Sequence, residues 1–206
     1  MKNIAFSGKM CSGKTTLASY LVGKYSYIKV SFADGVYKVA REVFDTLEKD
    51  RELLQEVGTT MRGIRRDVWI HLLKKNVLKR KMENFGSGIY TAGSNEPIDW
   101  IPFEPVNFVC DDCRFTNEVR ALQDWGWLVV RLECPTEQRL ERIERLYPGT
   151  PLNAHYHISE VELDTYGEFD YELDTGRPLN EVISDLDAIV QRYQNEKVRD
   201  MYKEKG

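Results

Sequence analysis

Residues 8–15 read GKMCSGKT, a complete G-x-x-x-x-G-K-T. An apolar run, KNIAF at residues 2–6, comes before it, and a stretch of helical spacing from Lys14 to Val22 follows. That strand–turn–helix context is the one in which this loop cradles phosphates. Gly8 and Gly13 permit a tight backbone path, so the consecutive residues Cys11, Ser12, Gly13, Lys14, Thr15 and Thr16 can point amide groups inward at an anion. Lys14 has the reach to follow negative charge between the β- and γ-phosphates of a nucleotide, and Thr15 offers a hydroxyl to Mg²⁺. The start of the following helix adds its positive end. The loop by itself does not separate a kinase from a GTPase, a motor ATPase or a transport ATPase.

Two groups of arginines narrow that choice. Arg62, Arg65 and Arg66 occur in TTMRGIRRDVW, and Arg139, Arg142 and Arg145 in EQRLERIERLYPG. The planar guanidinium pairs bidentately with phosphate. Groups of this kind on opposite sides of a phosphate loop suit a phosphotransferase with two substrates, one group gripping the acceptor and the other covering the transferring phosphate. No NKxD base-recognition signal of a GTPase is present. Asp34 and Asp112 both follow apolar strands, which puts them at the carboxyl ends of a sheet, the ligand edge of open α/β folds. Asp111 competes with Asp112 for any Mg²⁺ role, because neighbouring strand residues point in opposite directions. Phe115 and Trp69 read as packing residues. His71, His155 and His157 read as polar surface or hydrogen-bonded residues.

The elements that must hold these residues alternate short apolar strands with longer helical runs, the pattern of an α/β fold with a parallel sheet. Strands are expected at 2–6, 27–32, 107–110, 127–133 and 169–173. Helices are expected over 14–22, 34–47, 50–57 (opened by an Asp cap), 67–82, 115–124, 136–146 and 178–193. Residues 83–105 carry glycines, prolines and aromatics with little periodicity, and read as an insertion or hairpin. Residues 147–168 read as a mobile excursion, and the tail RDMYKEKG as frayed.

A chain of 206 residues, 42% hydrophobic and 30% charged, has the length for one well-packed core. Its 29 basic and 33 acidic residues give a formal charge of -4. With no basic stripe, that balance argues against nucleic acid as a partner. The opening apolar run is too short for a signal peptide, and no later stretch approaches the roughly 20 apolar residues that span a bilayer. The expectation is a cytoplasmic protein without a membrane partner; a homodimer is compatible with the sequence. Cys11, Cys110, Cys113 and Cys134 are too few for a disulfide scaffold. Cys110 and Cys113 form a CxxC that lacks two further zinc ligands and a helix start, so all four read as thiols of a reducing compartment.

Four segments together resemble the nucleoside monophosphate kinases, most closely the phage-type deoxynucleoside monophosphate kinases with their dephospho-coenzyme A kinase relatives. They are GKMCSGKTT, then SFADGVYKVAREVF with KDRELLQEVGTTMR and RDVW, then DDCRFTNEVRAL, and then HISEVELD with the strand ending at Leu173. The third carries D-x-R-F-x-N-E at Asp112, Arg114, Phe115, Asn117 and Glu118. The resemblance runs from the first strand to about Leu179. It implies a three-layer fold around a five-stranded parallel sheet, with a core at 1–34, 107–135 and 169–193. Acceptor-binding helices would span about 35–82 and a lid about 136–168.

The same resemblance implies phosphoryl transfer from Mg·ATP to a (deoxy)nucleoside monophosphate. Asp34 would face the reacting phosphates and Arg62 or Arg65 would grip the acceptor phosphate. Asp112 and Arg114 would stand beside the loop, with Asp112 and Thr15 serving Mg²⁺. Arg142, with Arg139 or Arg145, would come from the lid. Adenine would lie against the lid helix and the turn at Asp174–Pro178, which contains Thr175. The lid lacks the usual D-R pair and zinc cysteines, and residues 83–105 have no counterpart in compact members. A kinase of another small acceptor such as dephospho-coenzyme A, and an ATP-binding regulatory protein that acts through a partner, are the competing readings.

Overall fold

The apolar run before the glycine loop forms β1 (Ile4–Ser7), buried at every position. A strand buried on both faces needs helices above and below it, and the alternation along β1 shows how they are supplied. Ile4 and Phe6 point into one core with Leu17, Leu21, Val182 and Leu186; Ala5 points into the other with Val36, Trp69, Leu73 and Val119. The computed structural model describes residues 1–46, 50–85, 106–149, 151 and 157–203.

After β1 come α1 (Lys14–Tyr25), β2 (Ile28–Val30), α2 (Ala33–Phe44), α3 (Arg51–Ile64) and α4 (Val68–Phe85). Then follow β3 (Phe108–Cys113), α5 (Thr116–Asp124), β4 (Leu128–Glu133), α6 (Thr136–Leu146), α7 (Ile158–Val161), β5 (Tyr171–Asp174) and α8 (Leu179–Lys203). The five strands form one sheet in the order β2-β3-β1-β4-β5, and each neighbouring pair is parallel. Helices α1 and α8 cover one face and α2 to α5 the other, the three-layer α/β arrangement expected from the sequence. Among the described residues no helix is long and apolar enough to cross a membrane.

Several elements depart from their expected bounds for identifiable reasons. Helix α3 runs on to Ile64 instead of stopping at 57, because Leu53, Leu54, Val57 and Met61 continue one apolar face into the core. Its start is as expected, with the Asp50 carboxylate accepting from the Leu53 N–H at 3.0 Å. Strand β3 extends three residues beyond the expected 107–110, ending at the fully buried Cys113. Of the excursion expected over 147–168, residues 157–168 contain α7 and bury Leu163, which is 4% exposed, whereas 150 and 152–156, with His155 among them, lie outside the described residues. Helix α8 continues to Lys203, into the stretch read as frayed. The expected insertion begins inside α4, and residues 86–105 lie outside the described residues, as do 47–49 at the expected end of α2.

Helix α2 crosses α4 at Gly35, where an added Cβ would lie 2.4 Å from Leu72 Cδ2 and 2.8 Å from Trp69 Cε3. Gly23 in α1 has nothing within 4 Å of the same position. Gly35→Ala is therefore expected to destabilise the fold by about 1–3 kcal/mol through overpacking. Gly23→Ala is expected to stabilise it by about 0.5–1 kcal/mol through helix propensity. Urea denaturation of the two variants checks the opposite signs.

Candidate active site at the carboxyl edge of the sheet

The loop between β1 and α1 depends on its glycines. Gly8 has φ 146° and Gly13 φ 97°, and Cys11 between them also has a positive φ of 61°. A Cβ on Gly8 would meet Ser12 Oγ at 2.5 Å and the Leu132 carbonyl at 2.7 Å, so any side chain there would push the loop off β4. The Ser12 hydroxyl is buried with no hydrogen-bond partner among the described residues, an orphan that a phosphate oxygen would satisfy. Lys14 opens α1 and is 7% exposed; its ammonium donates to the carbonyls of Gly8 at 2.5 Å and Lys9 at 2.7 Å. Burial, and then the nearby Arg114 charge, lower its pKa from 10.5 to about 7.

The two adjacent aspartates of β3 do different things. Thr15 donates its hydroxyl to Asp111 Oδ2 at 2.8 Å, and the Lys29 ammonium of β2 reaches the same oxygen at 2.6 Å. Asp112 faces the other way, accepting from the Ser31 hydroxyl at 2.6 Å and the N–H groups of Phe32 and Ala33 at 3.0 and 2.8 Å. Its carboxylate fastens the start of α2 to the sheet. Of the two aspartates considered for Mg²⁺ with Thr15, Asp111 is the one that meets the Thr15 hydroxyl, and both line the cavity above the loop. A register shift explains why the sequence left the choice open: Ala5 pairs with Cys110, but Ser7 pairs with Cys113, so β3 carries one extra residue at the aspartates.

Asp34 also departs from expectation. It lines a separate cavity between α2 and α4 with Lys38, Arg41 and Arg80, and not the cavity above the loop. Burial, then the Asp112 charge, raise its carboxyl above the ordinary value. Helix α2 starts at Ala33, and its winding turns Val36 and Tyr37 toward the loop cavity and Asp34 away from it.

The arginines divide clearly. Arg62 lies 3.9 Å over the Phe115 ring and pairs with Glu118 at 2.9 Å. Glu118 is 1% exposed and also accepts from the N–H groups of Arg114 and Phe115 at 2.9 and 3.2 Å. Burial pushes its carboxyl up to about 7. Arg65 is turned outward, held by Asp67 at 2.9 Å and His71 at 2.6 Å, and does not line the loop cavity. Arg66 lends its carbonyl to Asn117. Arg114 pairs with Glu160 of α7. On the far side, Arg142 donates to the carbonyls of Thr175 at 2.9 Å and Cys11 at 3.4 Å. Thr175 is itself buried, with its N–H and hydroxyl on the Glu133 carbonyl. Arg139 is buried in α6 and Arg145 is exposed toward the cavity.

A cavity of about 1290 Å³ is lined by many of these groups, though not by Asp34, Arg65, Arg66, Glu118 or Arg139; it is larger than the roughly 300–1,000 Å³ of a pocket for one small ligand. Gly13, Lys14, Thr15, Thr16 and Asp111 form its floor; Arg62, Arg114, Tyr37, Gln55 and Thr59 line one wall, and Arg142, Arg145, Thr175 and Arg177 the other. Sequence reasoning missed Lys29 and Glu160. A lysine alternating with apolar residues in β2, and the acidic HISEVELD segment, were their only signals. Among the described residues no cluster of three or more His, Cys, Asp or Glu side chains is placed to hold a metal.

A family profile described as AAA domain matches residues 4–148. A protein of Acanthamoeba polyphaga mimivirus, provisionally named a deoxynucleotide monophosphate kinase, is 25% identical over 91% of this chain and 95% of its own length. Among solved structures, TT1252 from Thermus thermophilus superposes with a TM-score of 0.55 at 15% identity, covering 93% of this chain and 97% of that one. A gluconokinase from Sinorhizobium meliloti 1021 has a TM-score of 0.54 at 15% identity, with 96% and 97% covered. These two likenesses concern the fold.

The lowered pKa of Lys14 has a measurable sign. Between about pH 7 and 10.5 the unfolded chain keeps a proton that folded Lys14 has lost, so this residue makes stability rise with pH across that window. In carbon-13 NMR of labelled lysine, Lys14 is expected to titrate near 7, against about 10.4 for exposed lysines. Added tripolyphosphate should raise it; titration in the ordinary lysine range would contradict the description of the buried ammonium.

Proposed function

The chain belongs to the AAA domain family, and from that premise we propose that it transfers a phosphoryl group from Mg·ATP to a (deoxy)nucleoside monophosphate, yielding ADP and the nucleoside diphosphate. One observation carries the reading: a complete phosphate loop floors a cavity with arginines on opposite walls, Arg62 and Arg114 facing Arg142 and Arg145. Phosphoryl transfer asks a protein for alignment and charge neutralisation more than for covalent chemistry, and this cavity supplies both. The D-x-R-F-x-N-E signature and the name of the mimivirus relative support a nucleoside monophosphate as the acceptor.

The residues present fit both expected groups. The orphaned Ser12 hydroxyl and the inward loop suit a polyphosphate. The Thr15 hydroxyl beside the Asp111 carboxylate is an oxygen set of the kind Mg²⁺ takes. Bound there, Mg²⁺ would neutralise charge between the donor phosphates. Lys14 would leave the Gly8 and Lys9 carbonyls for the phosphate oxygens, and Lys29 would release Asp111. Arg62, with Glu118 fixing its direction, would hold the acceptor phosphate, and Arg114, whose charge acts on Lys14 beside the loop, would reach the transferring phosphate next to it. Arg142, braced on Cys11 and Thr175, would neutralise the donor from the opposite wall. Gln55 and Thr59, one turn apart on α3, offer an amide and a hydroxyl to the acceptor base.

The test is ADP formation from Mg·ATP with a panel of ribo- and deoxyribonucleoside monophosphates and dephospho-coenzyme A. At least one monophosphate is expected to stimulate turnover, whereas stimulation by none, or by dephospho-coenzyme A alone, would contradict the reading. Lys14→Ala should abolish transfer with the fold intact. Asp111→Asn should lower kcat about a hundredfold or more. Asp112→Asn should instead act mainly on stability, costing about 1–3 kcal/mol through unmade hydrogen bonds. A larger kcat loss at Asp112 than at Asp111 would reverse the assignment.

A further inference from the structure

The segment His157–Asp164 spans the front of the phosphate loop, and its three carboxylates have three different duties. Glu162 accepts from the Thr116 N–H at 2.9 Å. Asp164 pairs with Lys9 at 2.7 Å and lies 3.6 Å from Arg131. Glu160, whose side chain is 10% exposed, accepts from the Met10 N–H at 2.6 Å and pairs with Arg114. Met10 lies in the loop directly before the amides of Cys11 to Thr16, and both Met10 and Arg114 line the cavity above it. The Glu160 carboxylate thus makes, with its two oxygens, the contacts a phosphate would make with a loop amide and a guanidinium.

We propose that Glu160 is an internal anion for which a substrate phosphate is exchanged, so that phosphate entry frees α7 from the loop and hands Arg114 to the substrate. This rests on the reading of the loop as a phosphate site, but not on the identity of the acceptor. A phosphate cannot take the Arg114 guanidinium at hydrogen-bond distance while Glu160 still holds it without strong repulsion between the two anions. The geometry also says what moves. Leu163 is buried and Asp164 is tied to Lys9, so the downstream end of the segment stays anchored while Glu160 swings away. Glu160 is then a positioning residue: it holds Arg114 over the loop and raises the concentration of phosphate needed to claim it.

Calorimetric titration with Mg·ATP tests the exchange. Glu160→Gln keeps the shape and removes the charge, and is expected to bind Mg·ATP roughly tenfold tighter. Glu162→Gln, which alters a carboxylate that accepts from the Thr116 amide and does not line the loop cavity, should not tighten binding. Unchanged or weaker affinity in a Glu160→Gln protein with wild-type melting would overturn the proposal. A second arm needs no variant: in the wild-type chain, saturating Mg·ATP should speed hydrogen exchange of the amides at 158–162. Unchanged or slower exchange there would overturn the proposal even if Glu160→Gln failed to fold. Neither arm requires an acceptor or turnover, so each outcome stays separate from the kinase assay.

Discussion

Three positive charges crowd the mouth of the phosphate loop: burial first, and then the charges of Arg114 and Arg131, depress Lys14, while Glu160 and Asp111 support its charge. Gathering cations in a half-buried cleft costs several kcal/mol each unless every one is paired, and the surrounding chain is arranged around that requirement. The central position of β1, between β3 and β4, lets the two neighbouring strands bring opposite charges to it. Strand β3 supplies Asp111 to Thr15 and Lys29, while β4 supplies the buried Arg131, held by Glu133 at 2.6 Å. Helix α7 then returns over the loop with Glu160, and Asp164 follows with its contacts to Lys9 and Arg131. Lys14, Lys29, Arg62, Arg114 and Arg142 each already have an acidic or carbonyl partner, so binding of a polyphosphate would exchange partners at these five cations.

The same arrangement accounts for the division of the arginines. Arg62 is useful only because Phe115 supports its plane and Glu118 sets its direction, and Glu118 in turn closes the first turn of α5. Arg142 is braced from below by the turn after β5. Both walls are therefore built from guanidiniums that are already oriented, which lowers the entropic cost of gripping a phosphate.

Much of this was legible in the sequence because it is local. The glycine loop carries its own geometry, and a parallel sheet with central strands buried on both faces follows from short apolar runs between helices. What was hidden depends on side-chain direction across elements. One extra residue in β3 decides whether Asp111 or Asp112 meets Thr15, and no local pattern announces it. Asp34 and Arg65 stand near the expected positions in the chain but point away, Asp34 because of the phase of α2 and Arg65 because Asp67 and His71 capture it beyond the end of α3. Lys29 and Glu160 look like ordinary charged residues until the sheet order and the return of α7 bring them to the loop.

The central claim is that both walls of the cavity serve one reaction across the loop. Its most direct test is calorimetric comparison of ADP with a bisubstrate compound in which adenosine and a nucleoside are joined through a polyphosphate long enough to bridge both sites. The account predicts that the bridged compound binds at least about a hundredfold tighter than ADP, and that the gain disappears when Arg114 or Arg62 is replaced by alanine. Equal affinity for the two ligands, with the loop contacts intact, would mean that the cavity holds one nucleotide and that the acceptor wall has been misread.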